Sequence, residues 1–254
     1  MFCVKSMGGK RGRNNLKFSL SSSYDEHDYY IDGEMDGIEQ IPHPTIVPKN
    51  DHQKDYNRVL YSMNKPMVFA VGPAGTGKTM LACYAAISGY NDKTYKKIIL
   101  TRPVVSVEED IGYLPGTLEE KMDPWTRPIM DVFSEFYSQG DIQYMIKEKI
   151  IEICPLAYMR GRTFKDSFII ADEMQNSTPN QMKMLLTRIG EGSKMVITGD
   201  PKQHDRKYED NGLIDICSKI DGKRTKRIEY IKFEFSDIER SPIVRDILEI
   251  YGDN

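Results

Sequence analysis

Gly72-Pro73-Ala74-Gly75-Thr76-Gly77-Lys78-Thr79 places a lysine and a hydroxyl directly after a glycine-rich turn, an arrangement that binds phosphate. It fits G-x-x-x-x-G-K-[ST], the Walker A pattern. The glycines let backbone N–H groups turn inward around a phosphate. The helix expected next aims its positive dipole end at the same oxygens. Lys78 then supplies a cation to the β- and γ-phosphates of ATP, and the Thr79 hydroxyl is a Mg²⁺ ligand. A second stretch, Phe168-Ile169-Ile170-Ala171-Asp172-Glu173, is an apolar run ending in two carboxylates. Asp172 suits a residue that holds magnesium through water, and Glu173 one that polarises the attacking water. A kinase passing phosphate to a small molecule does not need that glutamate, so its presence favours hydrolysis over transfer. A third stretch, Thr198-Gly199-Asp200-Pro201-Lys202-Gln203, offers Gln203 as a sensor of the γ-phosphate.

These residues need strands to carry them to one edge. Met67–Val71 runs into Gly72, Ser167–Ala171 into Asp172, and Met195–Thr198 into Gly199. Lys97–Thr101 and Ile150–Cys154 are further short apolar runs, continuous as in strands buried on both faces of a parallel sheet. Arg227–Phe235 alternates and reads as an edge strand. Helices are expected from Lys78 to about Ser88, and from Asp123-Pro124 with Trp125, Ile129, Val132, Phe133 and Phe136 on one face. Another should follow the capping box Thr178-Pro179-Asn180-Gln181, with Met182, Leu185, Leu186 and Ile189 as its apolar stripe and Gly190 as its stop. Ile243, Val244, Ile247, Leu248 and Tyr251 predict a last amphipathic helix. The expected fold is α/β: a single RecA-like P-loop core with a mostly parallel sheet flanked by helices.

The chain has 254 residues and a net charge of −3, so no global charge draws it to nucleic acid and any basic site must be local. Residues 1–45 read as a flexible N-terminal arm, basic and glycine-rich over 8–13 and acidic over 21–36; residues 46–254 read as the ATPase domain. Cys3, Cys83, Cys154 and Cys217 are far apart and form no C-x-x-C pair, as expected of reduced thiols in a cytoplasmic protein. The histidines show no metal-ligand spacing. No apolar run is long enough to span a bilayer, so no membrane partner is expected.

The three strand-end motifs together resemble those of superfamily 1 helicases, which share the G-D-x-x-Q pattern. A closer resemblance is to the PhoH-like (phosphate-starvation-inducible) ATPase family. It is carried by Thr101-Arg102-Pro103-Val104, Ile111-Gly112-Tyr113-Leu114-Pro115-Gly116, the run Pro155–Phe164, Ile170-Ala171-Asp172-Glu173-Met174-Gln175-Asn176, and the run Gln181–Gly190. It covers about residues 45 to 251. Met174 stands where the family usually has Ala, and Asp237–Pro242 departs from a segment that more often has a valine pair before the arginine and a histidine after it. The arm has no counterpart, and nothing matches the PIN ribonuclease domain of some relatives, so nuclease activity is not expected. The resemblance implies that Gln53, in a Q-motif-like Pro48–Gln53, pairs with the adenine edge. It also implies a homo-oligomer, a hexameric ring, because a superfamily 1 helicase takes its transition-state arginine from a second core absent here. Arg188 and Arg240 are the candidate arginines.

For the use of the ATP, two readings stand. The first is an RNA- or DNA-dependent ATPase of helicase or translocase type, with Arg102, Tyr113, Arg160 and Arg162 available to phosphates and bases of a single strand. Arg160 or Arg162 fits the nucleotide site equally well. The alternative is an ATP-driven protein-remodelling or regulatory ring without a nucleic-acid substrate.

Overall fold

The computed structural model describes residues 43–103, 118–203, 211–221, 223, 225–241, 243, 244, 247 and 250. The apolar runs form strands β1 (Met67–Val71), β2 (Lys97–Thr101), β3 (Ile151–Ile153), β4 (Ser167–Ala171), β5 (Lys194–Gly199) and β6 (Ile228–Lys232). They make one six-stranded sheet in the order β3-β2-β4-β5-β1-β6, and every pairing is parallel. Register sets Val71 against Gly199, Thr101 against Ala171, and Ala171 against Ile197. The central strands therefore end nearly level, and the loops that carry the three motifs leave the sheet side by side. In open α/β sheets this carboxyl edge is where ligands bind.

Six helices cover the sheet: α1 (Asp51–Leu60), α2 (Lys78–Asn91), α3 (Leu118–Ser134), α4 (Gln139–Lys147), α5 (Pro179–Leu186) and α6 (Gly212–Ile220). Strand residues alternate between two cores. Val68, Ile98, Ile170 and Val196 pack with Tyr56, Leu81, Ile87 and Phe133 on the side of α1 to α4. Phe69, Ile99, Ile169 and Ile197 pack with Leu156, Met182, Leu185 and Leu213 on the side of α5 and α6. Each fully buried side chain of this size contributes about 1.5–3 kcal/mol through burial, so the central strands are held from both faces.

Local signals mostly place the helices. Asn50 caps α1 by accepting from the Gln53 N–H at 2.8 Å. Thr178 and Gln181 form the expected capping box of α5. Three expectations are corrected. α3 begins at Leu118 and runs through Pro124. Pro124 and Pro128 both lie inside it; each proline inside a helix removes one hydrogen bond, and packing of the buried Ile129 and Phe133 prevails over that loss. α5 ends at Leu186, before Gly190. Gly190 is needed for another reason: a side chain there would collide with the Phe164 carbonyl. β6 is shorter than the alternating run. α4 and α6, which were not expected, have caps of their own at Ser138 and Asn211. Of the expected last helix, Ile243, Ile247 and Ile250 are helical and exposed. Leu248, Tyr251 and nearly all of the arm lie outside the described residues.

Candidate nucleotide site

The loop from β1 to α2 turns on two left-handed glycines, Gly75 at φ 80° and Gly77 at φ 82°. Gly77 is also the N-cap of α2, so the helix starts at Lys78. That lysine is only 8% exposed. Its Nζ donates to the Gly72 carbonyl at 2.8 Å, the Pro73 carbonyl at 2.6 Å and Thr76 Oγ1 at 3.3 Å. Burial lowers its pKa, and the charges of Asp200, Asp172 and Glu173 push back toward the protonated form.

Asp172 leaves β4 beside the P-loop. Its Oδ1 accepts from the Thr79 hydroxyl at 2.8 Å and from the Thr198 hydroxyl at the end of β5. A hydroxyl and a carboxylate this close, near phosphate-binding backbone, suit the hard, oxygen-loving Mg²⁺. Glu173 follows in the left-handed region, at φ 53° and ψ 37°. Such a conformation costs a non-glycine residue about 1–3 kcal/mol and turns the side chain back toward the P-loop cleft. Burial raises the Glu173 pKa and the neighbouring Asp172 charge adds to it; a hydrogen bond from Gln175 and the charges of Arg102 and Lys78 oppose the rise. A cleft of about 240 Å³ is lined by residues that include Gly75, Lys78, Thr79, Asp172, Glu173 and Gln203. Sites that enclose a whole drug-sized ligand measure roughly 300–1,000 Å³, so among the described residues this cleft is a small one.

The remaining expected residues fall into separate groups. Gln53 is buried against the P-loop: Nε2 donates to the Thr76 carbonyl at 3.1 Å and Oε1 accepts from the Lys49 N–H at 2.9 Å. One amide N–H and one lone pair remain beyond these two bonds. Arg240 lies on the P-loop of its own chain. A Cβ on Gly75 would collide with its Nε, and the adjacent Glu239 N–H donates to the Gly75 carbonyl at 3.0 Å. The segment bearing Arg240 is tied to α1 by His52 Nδ1 and Asp237 Oδ2, 2.7 Å apart. Arg102, half-buried at the end of β2, belongs to the phosphate side, where its charge acts on Glu173.

Two expected arginines are committed elsewhere. Arg188 donates to the Met184 carbonyl, the Arg162 carbonyl and Thr187 Oγ1, at 2.9–3.1 Å, and so closes the end of α5. Arg162 makes a two-pronged ion pair with Glu152, with its guanidinium 4.6 Å above the Phe164 ring. Arg160 is exposed, next to the exposed Tyr158. Tyr113 lies outside the described residues. Gln175, which bonds both Glu173 and the Asp200 N–H, was missed although it sits inside a motif already noted.

A family model described as PhoH-like protein matches residues 45–252. The chain belongs to the PhoH-like family. A PhoH-like protein of Bacillus subtilis (strain 168) is 45% identical over 211 residues, covering 82% of this chain and 64% of that protein. Protein PhoH of Escherichia coli (strain K12) is 37% identical over 210 residues, covering 82% of this chain and 58% of that protein. The PhoH-like chain thus spans about three fifths of the length of these relatives. Among solved structures, a Pif1 helicase from Candida albicans aligns with a TM-score of 0.37 at 16% identity, covering 75% of this chain and 41% of that one. Family membership, with the Walker A loop between β1 and α2, makes the PhoH-like chain a P-loop NTPase. No helix among its described residues is long and apolar enough to cross a membrane.

Proposed function

We propose that this PhoH-like chain binds ATP with Mg²⁺, hydrolyses it within a homo-oligomer, and couples turnover to single-stranded RNA or DNA. The observation that carries the reading is Glu173, held in a strained backbone next to Asp172 and across the cleft from Lys78. Residues Gly72–Thr79 cradle the triphosphate. Thr79 and Asp172 hold the metal, which when bound neutralises phosphate charge. Glu173 orients and polarises the attacking water, and its raised proton affinity makes it a better base than an exposed carboxylate. Gln203 contacts the γ-phosphate from the loop after β5. Arg240 places positive charge at the P-loop in cis, and Gln53 turns its remaining amide valences to the adenine. An oligomer is carried over from the resemblance, in which a superfamily 1 helicase completes its site with an arginine from a second core. Nucleic acid is supported by the motif set shared with superfamily 1 helicases and by the exposed Arg160 and Tyr158, a cation and a stacking surface two residues apart in the chain.

The test is ATP turnover by purified protein alone, with single-stranded RNA, and with single-stranded DNA, beside Glu173→Gln. One polymer should stimulate turnover. Glu173→Gln should lose about 10²–10⁴-fold in kcat while still binding ATP. Turnover indifferent to both polymers would favour an ATP-driven protein-remodelling ring instead.

A further inference from the structure

Gln175 joins two motifs that the sheet brings side by side. It lies on the short 3-10 turn Met174–Asn176 and is 1% exposed. Its Oε1 accepts from the Asp200 backbone N–H at 3.1 Å, and its Nε2 donates to Glu173 Oε2. A backbone N–H requires the oxygen end of the amide, and a carboxylate requires the nitrogen end. The two bonds therefore agree on one orientation. The surroundings are shaped to this side chain. A Cβ on Gly199 would stand 2.6 Å from Gln175 Oε1, so glycine is needed there for close approach. The left-handed Glu173 likewise persists only where its neighbours over-determine it. On the far side, the Gln203 N–H donates to the Asp200 carbonyl at 3.0 Å. One connected path thus runs from the Glu173 carboxylate through the Gln175 amide and Asp200 to Gln203.

We propose that Gln175 is a positioning residue: it fixes the Glu173 carboxylate and links it to the Asp200–Gln203 loop, so that the loop facing the γ-phosphate and the residue facing the attacking water move together. This rests on the ATPase reading of Glu173. Leucine at 175 removes these two bonds, leaving the Glu173 carboxylate without its tie to residue 175 and the buried Asp200 N–H without its Gln175 acceptor. Glutamate at 175 has nearly the same shape. It keeps an acceptor for Asp200 and replaces the donor to Glu173 by a second carboxyl, which repels Glu173 or shares a proton with it; the Asp200 half of the link stays while the Glu173 half is spoiled.

The experiment has one readout that needs no nucleotide. Hydrogen exchange at the Asp200 amide should quicken by about tenfold or more in Gln175→Leu and stay near wild type in Gln175→Glu. In turnover, both variants should lose about 10–10²-fold in kcat, as expected when a catalytic group is misplaced, with ATP affinity within about threefold. Placed on Glu173→Gln, Gln175→Leu should lower the residual rate no further, because a residue acting through Glu173 has nothing left to position. Additive losses in that double variant would show a merely structural residue and overturn the proposal. So would wild-type turnover in Gln175→Glu, or an Asp200 amide still protected in Gln175→Leu. Wild-type turnover in Gln175→Leu beside an inactive Glu173→Gln overturns this proposal alone; an active Glu173→Gln overturns the reading of Glu173 and this proposal with it.

Discussion

Lys78 and Lys194 are both buried, and each amine meets three oxygens of its own chain. Lys78 sits at the carboxyl edge of the sheet among P-loop oxygens. Lys194 opens β5 at the opposite edge and donates to the carbonyls of Val59, Ser62 and Lys65, at 2.8–2.9 Å, around the end of α1. Burial lowers the pKa of both. For Lys194 burial acts without a countering carboxylate and the value falls to about 8. For Lys78 the carboxylates of Asp200, Asp172 and Glu173 oppose it. The same side chain, buried in both places, is thus a clamp at one edge and a guarded charge at the other. What distinguishes Lys78 is that its amine lies among P-loop oxygens while the charges of Asp200, Asp172 and Glu173 favour its protonated form.

Removing the guarded charge should have the largest effect. Lys78→Ala leaves three carboxylates facing the cleft without their cation. A hydrogen bond to a charged group is worth about 1.5–3 kcal/mol, so loss of the cation to phosphate should weaken ATP affinity by about 10–10²-fold, with hydrolysis lost. Nucleotide titration checks this; affinity near wild type would mean the cluster does not hold phosphate. Arg240→Ala comes next. It removes a cation lying on the P-loop, and kcat should fall by about 10²-fold, the usual loss for one donor to developing charge. Mixing Arg240→Ala with Lys78→Ala subunits separates cis from trans. An arginine acting in cis gives no recovery of turnover, whereas one acting across an interface restores part of it.

At the clamp, Lys194→Met should leave the nucleotide site nearly untouched and weaken the fold. Three carbonyls lose a charged donor, at about 1.5–3 kcal/mol for a hydrogen bond to a charged group. Thermal unfolding should show the loss while ATP affinity moves less than about threefold. The pH dependence has a definite sign. With the folded pKa near 8 and the ordinary value at 10.5, the native state binds fewer protons than the unfolded chain between those limits. Wild-type stability therefore rises with pH across that window. Lys194→Met lacks this group, so the stability gap between the two proteins should widen from pH 8 to 10.5. A gap constant with pH would mean that the amine titrates normally.

The guarded lysine was legible in the sequence and the clamp was not. Walker A names Lys78 by its neighbours in the chain, and the apolar strands ending at Asp172 and Gly199 imply where the carboxylates converge. Lys194 is a lysine at the start of a strand, which reads as a surface residue; its partners lie at Val59, Ser62 and Lys65, far away along the chain. The arginines show the same limit. Motif position brought Arg188 forward equally with Arg240 as a transition-state arginine, and Arg162 as a nucleic-acid contact, but the Glu152 carboxylate that pairs with Arg162 and the Arg162 carbonyl that accepts from Arg188 depend on how β3, the Leu156–Met159 turn and α5 pack. Gln175 was inside a noted motif, yet its task depends on β4 and β5 being adjacent. Pro124 and Gly190 misled because each is a strong local signal overridden by a tertiary contact.

The smallest expected effect is at Arg188, and it sharpens the contrast between residues that hold the fold and residues that face phosphate. Three of its N–H groups are used within its own chain, on Met184, Thr187 and Arg162. A transition-state arginine supplied to a neighbouring subunit is worth about 10³–10⁵-fold in kcat. A half-buried arginine closing a helix end is worth about 1 kcal/mol of stability and little catalysis. Arg188→Ala should therefore lower the melting temperature by a few degrees (about 2–4 °C for a domain of this size) and leave kcat within about threefold. Arg188→Lys should recover little, since a point charge cannot make three divergent bonds. A loss of 10³-fold with an unchanged melting temperature would mean that Arg188 leaves these partners on assembly and moves from the clamp side of the comparison to the phosphate side.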